Sequence, residues 1–216
     1  MDGPMNEQEA WTRAIAFLGA GMALGLQAGF SPGPLLALVI SQTLKHGPKE
    51  GVKVAFAPIL TDFPILFVST YLLIRLSEYK MILGGVSIVG ALFLVYLAYG
   101  SIQTRGVEVT IDQGVPYSLT KGAIVNALSP NPYVFWITIG APTILKGFAE
   151  SYIAPLLFVG SFLGCLVGSK CVLAVIAGKS RHFLTGRAYL YIMRALGIGL
   201  LAFAIVLFKD GLRLLK

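Results

Sequence analysis

Gly29-Phe30-Ser31-Pro32-Gly33-Pro34 is the stretch on which the fold turns, because it lies inside a run, residues 14–44, that contains no charged side chain. As one straight helix that run would reach roughly 46 Å, well past the roughly 30 Å hydrocarbon core of a bilayer. It must bend or break. Two prolines and two glycines within six residues say where.

The rest of the chain has the same character. Apolar residues make up 56% of the 216 positions and charged residues 12%, about half the roughly 25% of a soluble domain. Such a composition cannot cover a water-facing shell, and its uncharged runs are longer than an amphipathic surface helix allows. No cleavable signal is expected, since Asp2, Glu7 and Glu9 stand where a basic segment belongs and the first apolar run is too long. The net charge of +7 comes from cations placed between apolar runs, which orients a membrane protein and argues against nucleic acid as a partner. Cys165 and Cys171 stand six positions apart on different faces of one helix, too divergent for a disulfide.

Further spans are expected at about 54–74, 81–104, 122–145, 152–178 and 188–208. The fourth is interrupted by Ser129-Pro130-Asn131-Pro132, an echo of Ser31 to Pro34. The expected fold is an all-α integral membrane protein of six transmembrane helices, in two inverted three-helix repeats with spans one and four broken at Ser-Pro-x-Pro motifs. The repeats cover residues 1–105 and 122–216, and a polar linker, 106–121, joins them. An odd number of spans per repeat forces the second to cross in the opposite sense, the plan of many secondary transporters. Lys45, Lys49, Lys53, Lys121, Lys179 and Arg187 fall on one side with few acids. That side is expected to be cytoplasmic and both termini outside.

Counted at about 1.5 Å per residue, Pro34, Asp62 and Pro130 to Pro132 share one depth near the midplane. Ser31 is expected to cap a second half-helix with Pro32 at its first position and the Gly33 N–H open; Ser129, Pro130 and Asn131 repeat the pattern. Two half-helix N-termini facing one cavity suit an anionic group such as a carboxylate. Asp62 is the one acid deep in a span, where an ionised carboxylate costs on the order of 2.5–3.5 kcal/mol, so a function or a partner is expected for it. Lys170 and Arg194 are the candidate partners, for an ion pair or for coupling. Asn126 gains weight from flanking the second break. Gln27 and Thr61 fit a cavity lining or, the commoner fate, interhelical hydrogen bonds, and Tyr133, Phe135 and Trp136 fit packing, lipid contact or a substrate platform.

The motif Gly29 to Pro34, with Gly47 and Gly51 after it, Asp62, and Gly122, Asn126, Asn131 and Pro132, resembles the LysE/RhtB family of amino-acid exporters over nearly the whole chain. The resemblance implies export of amino acids or similar small metabolites from a prokaryotic cytoplasmic membrane, driven by an ion gradient, with the proton as first expectation. It implies no enzyme activity, cofactor or metal. The substrate-binding residues would be Ser31, Pro32, Gly33, Pro34, Asp62, Asn126, Ser129, Pro130, Asn131 and Pro132. Partners would be the bilayer, the solute and the ion, with homo-oligomers left open. The chain departs from the family pattern at Thr61, Tyr133 and Lys170. Two alternatives have less support. A metal-ion exporter needs more than two His and one deep acid. A thiol electron carrier resembling the cytochrome c biogenesis proteins needs cysteines at the breaks, where Ser31 and Ser129 stand.

Overall fold

The computed structural model describes residues 7–76, 80–103, 117–179 and 187–215, and all regular structure among them is helical. Asp2, Arg181 and most of the expected linker, with Glu108 and Asp112, fall outside the described residues. α1 (Glu7–Phe30) and α2 (Pro34–His46) form the first broken pair; the segments Ala14–Phe30 and Pro34–His46 are bent by 60°. α3 (Pro48–Ala55) leads into α4 (Ala57–Leu76) through Phe56, where Pro58 has no N–H to return to the preceding turn. α5 (Lys80–Ile102) follows. The second broken run is α6 (Ser118–Leu128), α7 (Pro130–Phe135), a π-helical turn over Trp136–Gly140, and α8 (Ala141–Glu150). α9 (Ile153–Lys179) and α10 (Arg187–Leu215) complete the described chain.

Pro48–Arg75, Ile153–Lys179 and Arg194–Leu215 are each long and apolar enough to cross a membrane, and the bent pair Ala14–Phe30 with Pro34–His46 is too when taken as one span. α5 carries a shorter apolar stretch, Gly84–Gly100. This is the make-up of a multi-spanning helical membrane protein. Several boundaries differ from the sequence reading: α6 begins at Ser118, ahead of the expected 122, and α8 ends at Glu150, past the expected 145. Residues 48–53, expected as a connection, are helical as part of α3 because the turn at Gly47 hands the chain to Pro48, whose fixed φ already suits a first helical position. α10 runs past 208 to Leu215.

The packing joins the two halves rather than consolidating each. α1 lies along α9 and α5 along α10, while α4 packs on α6, α8 and the π turn. The α1–α9 approach is close enough to need glycine: a Cβ at Gly25 would overlap the Phe162 carbonyl oxygen, and one at Gly29 would overlap Ser169 Oγ. Without a solvent-driven hydrophobic term between helices in lipid, such close backbone contact is what holds them together. Two apolar clusters result. One, around Leu36, Val39, Ile40, Val54 and Leu173, packs α2, α3, α4 and α9. The other, around Leu24, Leu94, Phe135, Trp136, Ile139, Phe158 and Phe162, lies on the opposite side of the breaks.

Beside the first cluster, Ser118 Oγ lies 2.6 Å from Glu50 Oε2 and 3.2 Å from Gln42 Oε1, and Lys53 Nζ lies 2.6 Å from Glu50 Oε1. These contacts tie α2, α3 and the start of α6 together.

Candidate functional site

The first break follows from backbone donors. In an unbroken helix the Ala28 and Gly29 carbonyls would accept from residues 32 and 33, but Pro32 has no N–H and Gly33 is extended at φ −175°, ψ 176°. Lys170, at 3% exposure in the middle of α9, supplies the donor: its Nζ donates to Ala28 O at 3.2 Å and Gly29 O at 3.1 Å. A cation at the carbonyl end of α1 also matches the helix dipole. Left buried without a donor, such carbonyls would each cost about 1–3 kcal/mol.

The cap lies two residues later than the sequence reading expected. Gly33, not Ser31, is the N-cap of α2, and Pro34, not Pro32, takes its first position. Ser31 still belongs to the end of α1, its N–H donating to Gln27 O at 2.9 Å. Gly33 O accepts from Ala37 N at 2.9 Å. The N–H groups without an acceptor inside α2 are then those of Gly33, Leu35 and Leu36, Pro34 having none.

At the second break the register is the expected one, with Ser129 at the N-cap of α7 and Pro130 at the first position. The Ser129 hydroxyl does not cap α7; Oγ donates back to Val125 O at 2.7 Å and holds the end of α6.

Between the breaks lies a buried polar network. Asn126 Nδ2 donates to Asp62 Oδ1 at 2.8 Å and to Thr61 Oγ1 at 2.7 Å, and Thr61 Oγ1 donates to Ala57 O at 3.2 Å. Asp62 is 4% exposed and Asn126 6%. Trp136, fully buried, brings its indole N–H next to the Asp62 carboxyl without closing a hydrogen bond. Room for that ring comes from the π turn and from Gly140, where a Cβ would overlap it. An extra residue in a helical turn at such a place is a common mark of functional sites.

Asp62 and Asn126 from this network line a cavity of about 130 Å³, close to the roughly 150 Å³ that admits benzene in an apolar engineered site. Of the residues expected at the site, Ser31, Pro32, Gly33, Pro34, Asp62, Asn126, Ser129, Asn131, Pro132 and Lys170 all reach it. Pro130 is exposed and does not line it. Arg194 is exposed on α10, so of the two bases only Lys170 shares the cavity with Asp62. They form no ion pair within 4 Å, Lys170 being engaged by the α1 carbonyls.

Sequence reasoning undervalued three lining residues. Gln27, at 3% exposure, sits one turn before the break, and that spacing was the available signal. Phe135 and Phe162 form its apolar floor, with ring centroids 4.5 Å apart and 12° between planes. Nothing in the local sequence marks Phe162.

The arrangement presents an acid, a base and an amide around a space of small-molecule size, with apolar walls. No curated protein and no solved structure matches the chain. The family model described as the LysE type translocator matches residues 26–211, a range that takes in both breaks, Asp62, Asn126 and Lys170, and the chain therefore belongs to the LysE translocator family.

Proposed function

We propose that this membrane exporter of amino acids or similar solutes works by alternating access around the cavity between the breaks, with transport coupled to an ion gradient and H⁺ as the ion. Family membership carries the coarse activity, that of a transporter rather than an enzyme. The single observation that carries the finer reading is the juxtaposition of Asp62, Asn126 and Lys170 in one cavity walled by both breaks. A zwitterion offers an ammonium group to Asp62 and a carboxylate to Lys170 and to the open N–H groups of Leu35 and Leu36 at the start of α2. Ser31, Ser129 and Asn131 add polar contacts around it. Asp62 is also the group whose protonation would carry an H⁺, since a neutral carboxyl is far less costly at this depth.

The six-span reading with inverted repeats is supported by the packing. Exchanging the halves turns the contact of the first broken run with α9 into the contact of the second broken run with α4, and turns α5 against α10 into itself. Both contacts are present. The two breaks are exchanged likewise. A cytoplasmic membrane with both termini outside completes the proposal.

The test is export from cells loaded with dipeptides that release amino acids. Cells making the protein should lose at least one amino acid faster than cells without it, and Asp62→Asn should abolish the coupled part. Equal efflux with and without the protein, for every amino acid tried, would rule the reading out.

A further inference from the structure

The midplane cavity is not the larger space in the protein. A second one, of about 680 Å³, is walled by α1, α4, α5, the π turn, α8, α9 and α10, and its rim carries Lys146, Glu150 and Asp210. Lys146 and Asp210 are paired across that rim at 3.4 Å, and the Lys146 side chain is 63% exposed, so the space reaches the surface on the side of the α8–α9 turn.

The two cavities are stacked on the same helices. α1 gives Leu24 to the wide space and Ala28 to the narrow one; α5 gives Leu94 and Leu97, α9 gives Phe158 and Phe162, and the second broken run gives Ile139 and Phe135. In each case the two residues stand three or four positions apart, so one helical turn of about 5.4 Å separates the spaces. That turn is filled by rings. Phe162 stacks on Phe135 at 4.5 Å and meets Trp136 edge-on at 5.3 Å. On the other side of the breaks the barrier is much thicker: α2 has 13 residues, about 20 Å of packed helix, sealed by the apolar cluster around Val39 and Leu173 and by Ser118, Glu50 and Gln42.

We propose that the wide cavity is the release vestibule of the transport path, and that the Phe135–Phe162–Trp136 layer is the barrier closing the midplane cavity from it. This rests on the reading of the midplane cavity as the solute site. The solute that leaves the narrow site crosses a single aromatic layer to reach solvent, whereas the opposite face requires α2, α3 and α6 to separate. Phe162 and Phe135 touch both the solute space and the barrier, so they act on passage as well as on fit.

The test uses the full chain in membrane vesicles, with Cys165→Ser and Cys171→Ser to remove the native thiols and a membrane-impermeant maleimide applied from the Lys146 side. The thiol introduced by Ala16→Cys, in the vestibule wall, should react fast, and that introduced by Ser31→Cys, in the narrow cavity, slowly. Adding Phe162→Ala, or the milder Phe162→Leu, should raise labelling of Ser31→Cys by about tenfold or more, as the closed barrier loses population. Labelling of Ala16→Cys should stay unchanged, which also reports that the variant is folded. Labelling of Ser31→Cys as fast as Ala16→Cys with the rings intact would overturn the proposal. So would no change with both Phe162 variants while Ala16→Cys still labels normally. No solute is needed for this readout. A protein that labels as expected but exports no amino acid keeps the barrier and loses the functional reading.

Discussion

Lys170 is best understood through the carbonyls it serves. A lysine at 3% exposure in the middle of an apolar helix would be expensive on its own, yet it stands where Pro32 and Gly33 withdraw the donors of Ala28 and Gly29. Each therefore removes the cost of the other. Lys170→Met keeps the length and loses the donor, and should lower stability by about 1–3 kcal/mol for each of the two buried acceptors left unpaired. Thermal unfolding of the detergent-purified protein should show the drop, and an unchanged transition would mean that water serves those carbonyls equally well. Asp62 was legible in the sequence because a deep acid is rare. Lys170 was legible only as a nearby base, and Arg194 was its equal, because depth along a helix says nothing about the direction in which a side chain points. Only the tertiary approach of α9 to α1 separates them.

Both breaks were readable, since proline and glycine act on their own backbone whatever the surroundings. Which of two prolines takes the first helical position was not readable, because it depends on who satisfies the carbonyls left behind. At Ser129 the expected register held; at Ser31 the donor from α9 satisfies the α1 carbonyls and the cap lies two residues on, at Gly33. The pairing of helices was equally hidden. In a span that is apolar all round, periodicity carries no information on facing, so the contact of α1 with α9 shows in the sequence only as small residues four apart, Gly21, Gly25 and Gly29. Gly25→Ala should force α1 from α9 and cost about 1–3 kcal/mol, as overpacking does. Gly19→Ala, where a Cβ meets nothing within 4 Å, should be neutral or slightly stabilising because alanine is the better helix former. Parallel melting curves of the two variants decide it; equal shifts would mean that the glycines are not needed for the contact.

The whole molecule adds the arrangement of solute path and membrane. Six apolar runs were countable from the sequence, and family and structure agree with it on a multi-spanning helical transporter. Which face meets the cytoplasm rests on loop cations, a small excess with few acids beside it. If the termini are outside, the vestibule with Lys146 on its rim is outside too. Tyr152, 83% exposed at the α8–α9 turn, offers the check. In intact cells making a chain with Cys165→Ser and Cys171→Ser, the thiol introduced by Tyr152→Cys should react with an impermeant maleimide. Reaction only after the membrane is opened would reverse the orientation.

The π turn over Trp136–Gly140 amounts to one residue inserted into a helix. An α-helix advances about 100° per residue, so the insertion sets the angular phase between the part bearing Asn131 and Phe135 and the part bearing Thr143 and Lys146. With it, one continuous rod presents one set of residues to the narrow cavity and another to the wide one. Remove one residue there and the rod would remain a good helix, shorter by about 1.5 Å. Its two ends would then be out of step by more than a quarter turn, and one of the two cavities would lose its wall.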